Sequence, residues 1–156
     1  MLPPDTHINL SDLWDAYLAT VEQINEFDNN YCDDIRKKYA NFLIQEKYPE
    51  RYNRRDKFCK ATRISIDAYN RFRTGGGVNR ITLLKICMGL ILDYQKSIIC
   101  YAIHGYFLLT DNYFEQNILY VLSFLNDTDF KKLDIDEKIE KIKKFIPEVE
   151  TMRDGA

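Results

Sequence analysis

Apolar residues return at three- and four-residue steps along most of this chain, and little interrupts them. Leu13, Trp14, Tyr17, Leu18, Val21, Ile24 and Phe27 make one such stripe. Ile35, Tyr39, Phe42 and Leu43 make a second, Phe114, Ile118, Leu119, Val121, Leu122 and Leu125 a third, and Ile139, Ile142 and Phe145 a fourth. That period belongs to helices that bury one face. The 156 residues include only four Pro and six Gly, and three of the glycines are adjacent, Gly75, Gly76 and Gly77. With 46% apolar residues there is enough to fill a core. The expectation is an all-α protein of one domain, built from seven or eight helices.

Local signals divide the chain further. Pro3 and Pro4 keep the first ten residues extended, and Ser11 N-caps a helix over about residues 11–27. Asp28, Asn29 and Asn30 read as a turn, after which Asp33 and Asp34 open a second helix ending near Tyr48, before Pro49. Residues 1–50 are thus expected to form an N-terminal helical hairpin. It is either a dimerisation or partner-binding arm or a part of the common core. Short helices follow at about 55–62 and 66–73, with Arg63 and Ile64 as the turn and Ser65 as an N-cap; Phe58, Tyr69 and Phe72 face inward. Further helices are expected at about 79–92, 93–104 and 111–125. Residues 126–129 read as a loop, Asp136 opens the last helix, and residues 147–156 read as a frayed tail.

Charge is distributed unevenly over this plan. Between Arg51 and Lys85 lie ten cations (Arg51, Arg54, Arg55, Lys57, Lys60, Arg63, Arg71, Arg73, Arg80 and Lys85) and only two acids, Asp56 and Asp67. The whole chain has a formal net charge of −2, so the remainder is strongly acidic. A basic island in an acidic chain suggests a surface for a polyanion. Its plainer reading is a solvated face balanced by acidic helices.

The run FCKATRISIDAYNRFRTGG followed by ITLLKICMGLIL resembles the helix-turn-helix of the XRE/Cro/phage-repressor family, through Ile64, Ser65, Tyr69, Phe72, Gly75, Leu83, Leu84, Lys85 and Ile86. The downstream run, with its His104-Gly105-Tyr106 turn and acidic DID start, is similar to the C-terminal helices of bacterial proteins of this type. The resemblance covers about residues 54–145 and sets residues 51–146 as a helix-turn-helix DNA-binding domain with C-terminal helices. Family members usually carry Gly, often at positive φ, where this chain has Arg63, and Ala where it has Cys59. The Pro common before the LLKI helix is absent here.

The resemblance implies sequence-specific binding of double-stranded DNA by a non-catalytic regulator, in a bacterium or its mobile elements. A homodimer is expected, because one short recognition helix acting alone binds weakly. The second short helix would enter the major groove by its N-terminal part. Away from the Tyr69/Phe72 face lie Ile66, Asp67, Asn70 and Arg71 as base-contact candidates. Arg71 suits guanine, Asn70 adenine, and Ile66 a thymine methyl; Asp67 suits a cytosine amine or orients Arg71. Arg54, Arg55, Lys57, Lys60, Ser65 and Arg73 are the phosphate-contact candidates. The alternative is a protein-interaction module that keeps the helical scaffold and binds a protein partner as an inhibitor, an antitoxin or a mobile-element protein. The acidic remainder favours that second reading.

Other chemistries find no pattern. Cys32, Cys59, Cys87 and Cys100 show no CxxC spacing and read as reduced, mostly buried thiols. Cys100 and His104 lie four apart, but nothing supplies further metal ligands or an orienting partner for a nucleophile. They read as a core cysteine and a turn histidine. Gly75–Gly77 lacks the Lys-Ser/Thr that a phosphate loop needs. Tyr101, Tyr106, Phe107, Tyr113, Phe114 and Tyr120 read as core or dimer face. No enzyme and no cofactor is expected. The opening MLPPDTHINL lacks the features of a secretory signal, and the apolar run 86–92 is too short to span a membrane. A cytoplasmic protein is expected.

Overall fold

Side chains that accept from the free N–H groups of a first helical turn decide where most of these helices begin. Ser65 Oγ accepts from the Ala68 N–H, Asn79 from Thr82, Asp93 from Lys96 and Asn112 from Glu115. Asp134 and Glu137 close a reciprocal capping box. In the computed structural model, described for residues 29–151 other than 107 and 109–111, these caps frame nine helices and no strand among the described residues. They are α1 (Asn29–Lys47), α2 (Arg54–Thr62), α3 (Ile66–Thr74), α4 (Arg80–Leu90), α5 (Tyr94–Ile103), α6 (Tyr113–Leu122), α7 (Thr128–Lys131), α8 (Ile135–Ile142) and α9 (Glu148–Thr151). The helix expected over residues 11–27 lies outside the described residues.

The centre of the fold is α4. Every residue from Ile81 to Met88 is buried, Thr82 and Lys85 included, and α4 packs against α2, α5, α6, α8 and α9. A helix that is apolar on all sides has to be surrounded in this way. Gly89 makes the α2 crossing possible: a Cβ there would stand 2.5 Å from the Ala61 carbonyl oxygen and 2.8 Å from the Thr62 Cα. The aromatic rings of Phe58, Tyr69 and Phe72, with centroids 5.0 Å (Phe58–Tyr69) and 6.0 Å (Phe58–Phe72) apart, hold α2 to α3. Tyr39, Ala40, Leu43 and Ile44 of α1 are buried in the same core, and α1 lies against α3 and α5. Buried Lys96, its Nζ 2.9 Å from Oε1 of the exposed Glu46, adds a part-buried ion pair between α5 and α1.

Three helix ends turn through left-handed residues. Gly75 (φ 84) ends α3, with the Gly76 N–H reaching back 3.0 Å to the Arg71 carbonyl. Arg63 (φ 58) ends α2 and Ile91 (φ 54) ends α4. Neither side chain favours that conformation, which costs roughly 1–2 kcal/mol for an L-residue. Arg63 thus holds a backbone conformation that ordinarily favours Gly.

Several expectations are corrected. Asn29 and Asn30 are the first residues of α1, not a turn. Asn is a weak helix former, but helix ends tolerate it better than helix interiors. Thr128 and Asp129, expected in a loop, open the short helix α7, anchored by the buried Phe130. The helix expected to open at Asp136 begins at Ile135 behind the Asp134 cap. The expected frayed tail begins with structure: Glu148–Thr151 is helical and Val149, only 2% exposed, joins the core. Apolar burial of Val149 outweighs the break at Pro147.

Candidate nucleic-acid interface

The residues of α3 separate by helical phase. Ala68, Tyr69 and Phe72 are buried, while Ile66 (46% exposed), Asp67 and Arg71 face solvent and Asn70 is half-buried. The base-contact candidates therefore stand on the outer side of α3, with an exposed isoleucine at its first turn. Ser65 is occupied as the N-cap, its Oγ 3.1 Å from the Ala68 nitrogen.

Asn70 and Arg73 also line an open cleft of about 550 Å³ between α1, the start of α2 and α3. Arg51, Asn53, Arg54, Arg55 and Asp56 line it from the other side, and Asn41 and Ile44 from α1. Among the described lining residues four arginines thus accompany one carboxylate, and Asp56 already lies 3.5 Å from Arg55 Nε. Arg73 Nε is 3.4 Å from Asn70 Oδ1, so one candidate base reader and one candidate phosphate contact are tied together. Burial pushes the Tyr69 phenol upward, against the pull of Arg73, Arg54 and Arg55. A cleft of this composition suits the oxygens of a polyanion, because guanidinium forks match phosphate geometry.

Not every expected cation is equally available. Arg54 donates from Nε to the Tyr48 carbonyl at 2.8 Å and from Nη2 to the Pro49 carbonyl at 2.7 Å, fastening the end of α1 to α2. Lys57 and Lys60 are exposed on α2 but do not line the cleft. The basic island is also smaller in space than along the chain. Lys85 is only 7% exposed. Arg80 lies 3.4 Å from Glu115 Oε1 and 4.3 Å from the centroid of the Tyr106 ring, and Arg63 lies 3.3 Å from Asp136 Oδ1.

Arg71 points to a different place. It lines a second cleft, of about 270 Å³, with Arg36, Gly76, Gly77, Val78, His104 and Tyr106. Here His104 Nδ1 is 2.8 Å from the Cys100 carbonyl, which can only accept, so Nδ1 carries the proton. Burial, reinforced by Arg36, lowers the His104 pKa to about 4 against the Cys100 hydrogen bond. The neutral ring therefore keeps an acceptor at Nε2, and that atom is buried without a partner. An unsatisfied buried acceptor costs about 1–3 kcal/mol.

Arg51 was visible only as part of the charge run. Asn41, Asn53 and Arg36 carried no local signal for a site, because chain folding alone brings them to these clefts, and His104 stood out in the sequence only beside Cys100. Cys87 and Cys100 are buried free thiols and Cys59 is half-buried. Among the described residues no cluster of His, Cys, Asp or Glu has metal-site geometry, and no described helix is long and apolar enough to cross a membrane. Compared with protein families, curated proteins and solved structures, the chain matches none.

Proposed function

We propose that this protein is a sequence-specific double-stranded DNA-binding regulator without catalytic activity, acting as a homodimer. In this reading α2 and α3 are a repressor-like helix-turn-helix. Ile66, Asp67, Asn70 and Arg71 meet base edges, and Arg51, Arg55 and Arg73 take phosphates, joined by Lys57, Lys60 and the unengaged edge of Arg54. One observation carries the proposal: four guanidiniums converge beside Asn70 on a short helix whose outer face exposes Ile66, Asp67 and Arg71. The resemblance to repressors of bacteria and their mobile elements supports it and implies a cytoplasmic setting.

Selection from a random duplex library, followed by gel-shift titration at two salt concentrations, tests this reading. Binding is expected to weaken with salt at a log–log slope of roughly 0.9 per phosphate contacted. Arg71→Ala should weaken the selected sequence and spare random DNA, and Arg73→Ala should weaken both. Absence of binding at low salt overturns the proposal. It would favour a protein-interaction module, for which the exposed Tyr113 and Tyr120 of α6 offer contact surface.

A further inference from the structure

Helix α6 buries Ile118, Val121 and Leu122 and turns other large side chains outward. Tyr113 is 84% exposed and Tyr120 54% exposed. They stand two turns apart on one helix face, with Asn117 between them. Asn117 donates from Nδ2 to the Phe145 carbonyl at 2.9 Å and so fastens the segment after α8 to this face. Tyr120 then meets two half-buried rings edge-on, Phe145 at 5.2 Å and Phe124 at 5.4 Å between centroids. The result is an aromatic row at the surface with Tyr120 at its centre.

The two ends of that row carry opposite charge. At the Phe145 end, the exposed Lys144 holds its Nζ 5.0 Å from the ring centroid. At the Phe124 end, the chain turns through a 3.0 Å bond from the Asp127 N–H to the Phe124 carbonyl, and Asp127 and Asp129 are exposed there. A row with a cation at one end and carboxylates at the other is complementary to a copy of itself turned about a two-fold axis. A partner of uniform charge would match one end and be repelled by the other.

We propose that this face of α6 is the contact between two copies of the chain. The axis passes near Tyr120, which packs on Tyr120 of the second copy, and Lys144 of each chain faces Asp127 of the other. Tyrosine and phenylalanine are side chains that the centres of interfaces favour, and charges belong at the rim. The contact rests on the homodimer of the proposed function, but not on its DNA reading. None of these residues is among those that line the two arginine-bearing clefts.

Sedimentation equilibrium of the full chain without DNA tests the contact, so that its failure is separate from a failure to bind DNA. The wild-type mass is expected to double as concentration rises. Tyr120→Glu should weaken association at least about tenfold. Tyr113→Ser, at a position too exposed to act through folding, should weaken it at least about threefold. Lys144→Glu and Asp127→Lys should each weaken it about tenfold, because each sets like charges together twice per dimer. An equimolar mixture of these two charge variants should associate within about threefold of wild type, since only unlike chains then bring opposite charges together. Circular dichroism and thermal melts check that every variant keeps the helical fold. A wild-type chain that stays monomeric up to about 200 μM overturns the proposal and leaves the face to the apolar stripe of residues 13–27 or to a different protein. A dimer indifferent to both tyrosine variants, or folded charge variants that mixing does not restore, overturns it as well.

Discussion

Arg36 and Gly75, 39 residues apart, are joined by a 2.8 Å hydrogen bond from the guanidinium Nε to the carbonyl that ends α3. Asn41 repeats the arrangement one turn further along α1, donating to the Arg73 carbonyl at 3.0 Å. Two side chains of α1 thus satisfy the end of α3 that its own backbone leaves open. The candidate recognition helix is positioned by its attachment to α1 as well as by its contact with α2.

Loss of that attachment should loosen the end of α3 before it unfolds the protein. Arg36→Ala is expected to cost about 1–3 kcal/mol, since it leaves the Gly75 carbonyl with water alone. Hydrogen exchange should rise selectively at Thr74, Gly75 and Gly76. Uniform acceleration across α3 and α4 would show that Arg36 acts on global stability and does not pin the helix end.

Gly89 should reverse the usual ranking of helix formers. Within a helix, Ala is ordinarily worth about 1 kcal/mol more than Gly. Here the added Cβ meets the backbone of Ala61 and Thr62 at 2.5–2.8 Å, which cannot rotate away. Gly89→Ala should therefore destabilise by about 1–3 kcal/mol, read as a lower urea midpoint. A midpoint equal to or above wild type would mean that α2 shifts freely along α4.

Arg63→Gly should stabilise. The substitution relieves the left-handed strain at φ 58 and removes only an exposed ion pair to Asp136. Part of the gain is offset by the greater freedom of Gly in the unfolded chain. The net expectation is about 0.5–1 kcal/mol, or a few degrees in Tm. A fall in Tm would show that Arg63 contributes more through Asp136 than its exposure suggests.

His104 gives stability a pH dependence of definite sign. Its folded pKa, lowered to about 4, lies below the ordinary histidine value of 6.5. Between those two values the unfolded chain binds more protons than the folded one, so stability increases with pH. The contribution is fully present above pH 6.5, declines as the pH falls, and levels off near pH 4, an upper limit of about 3 kcal/mol. Urea midpoints from neutral pH to pH 5 should fall in the wild type, and this part of the fall should be absent in His104→Phe, which keeps a ring between Phe72 and Tyr106. Equal pH dependence in the two proteins would place the His104 proton elsewhere.

Much of the fold was legible locally. Ser65 as an N-cap, Asp93 at the start of α5, Gly75 at the end of α3, and Tyr69 and Phe72 as the inner face of α3 all follow from neighbours within four residues, where capping and helical period act. The errors also sit where a distant contact decides. Pro147 suggested a frayed end, but the core buries Val149 beyond it. The candidate interface was legible in part. The outward phase of Ile66, Asp67 and Arg71 follows from helical period alone.

The amino-acid order by itself determined that this chain is helical, where most helices begin, and which face of α3 is outward, because those outcomes depend on short-range hydrogen bonds and side-chain period. Only the tertiary structure decided which charges stand at the surface. It withdrew Lys85 into the core, set Arg80 against Glu115 and Tyr106, and gave two donors of Arg54 to backbone carbonyls. It also brought Arg51, Arg54, Arg55 and Arg73 to one cleft and Arg36, Arg71 and His104 to another. Charge has no period that marks its destination. Its place depends on which helices pack together, and that is settled by the burial of α4 among its neighbours.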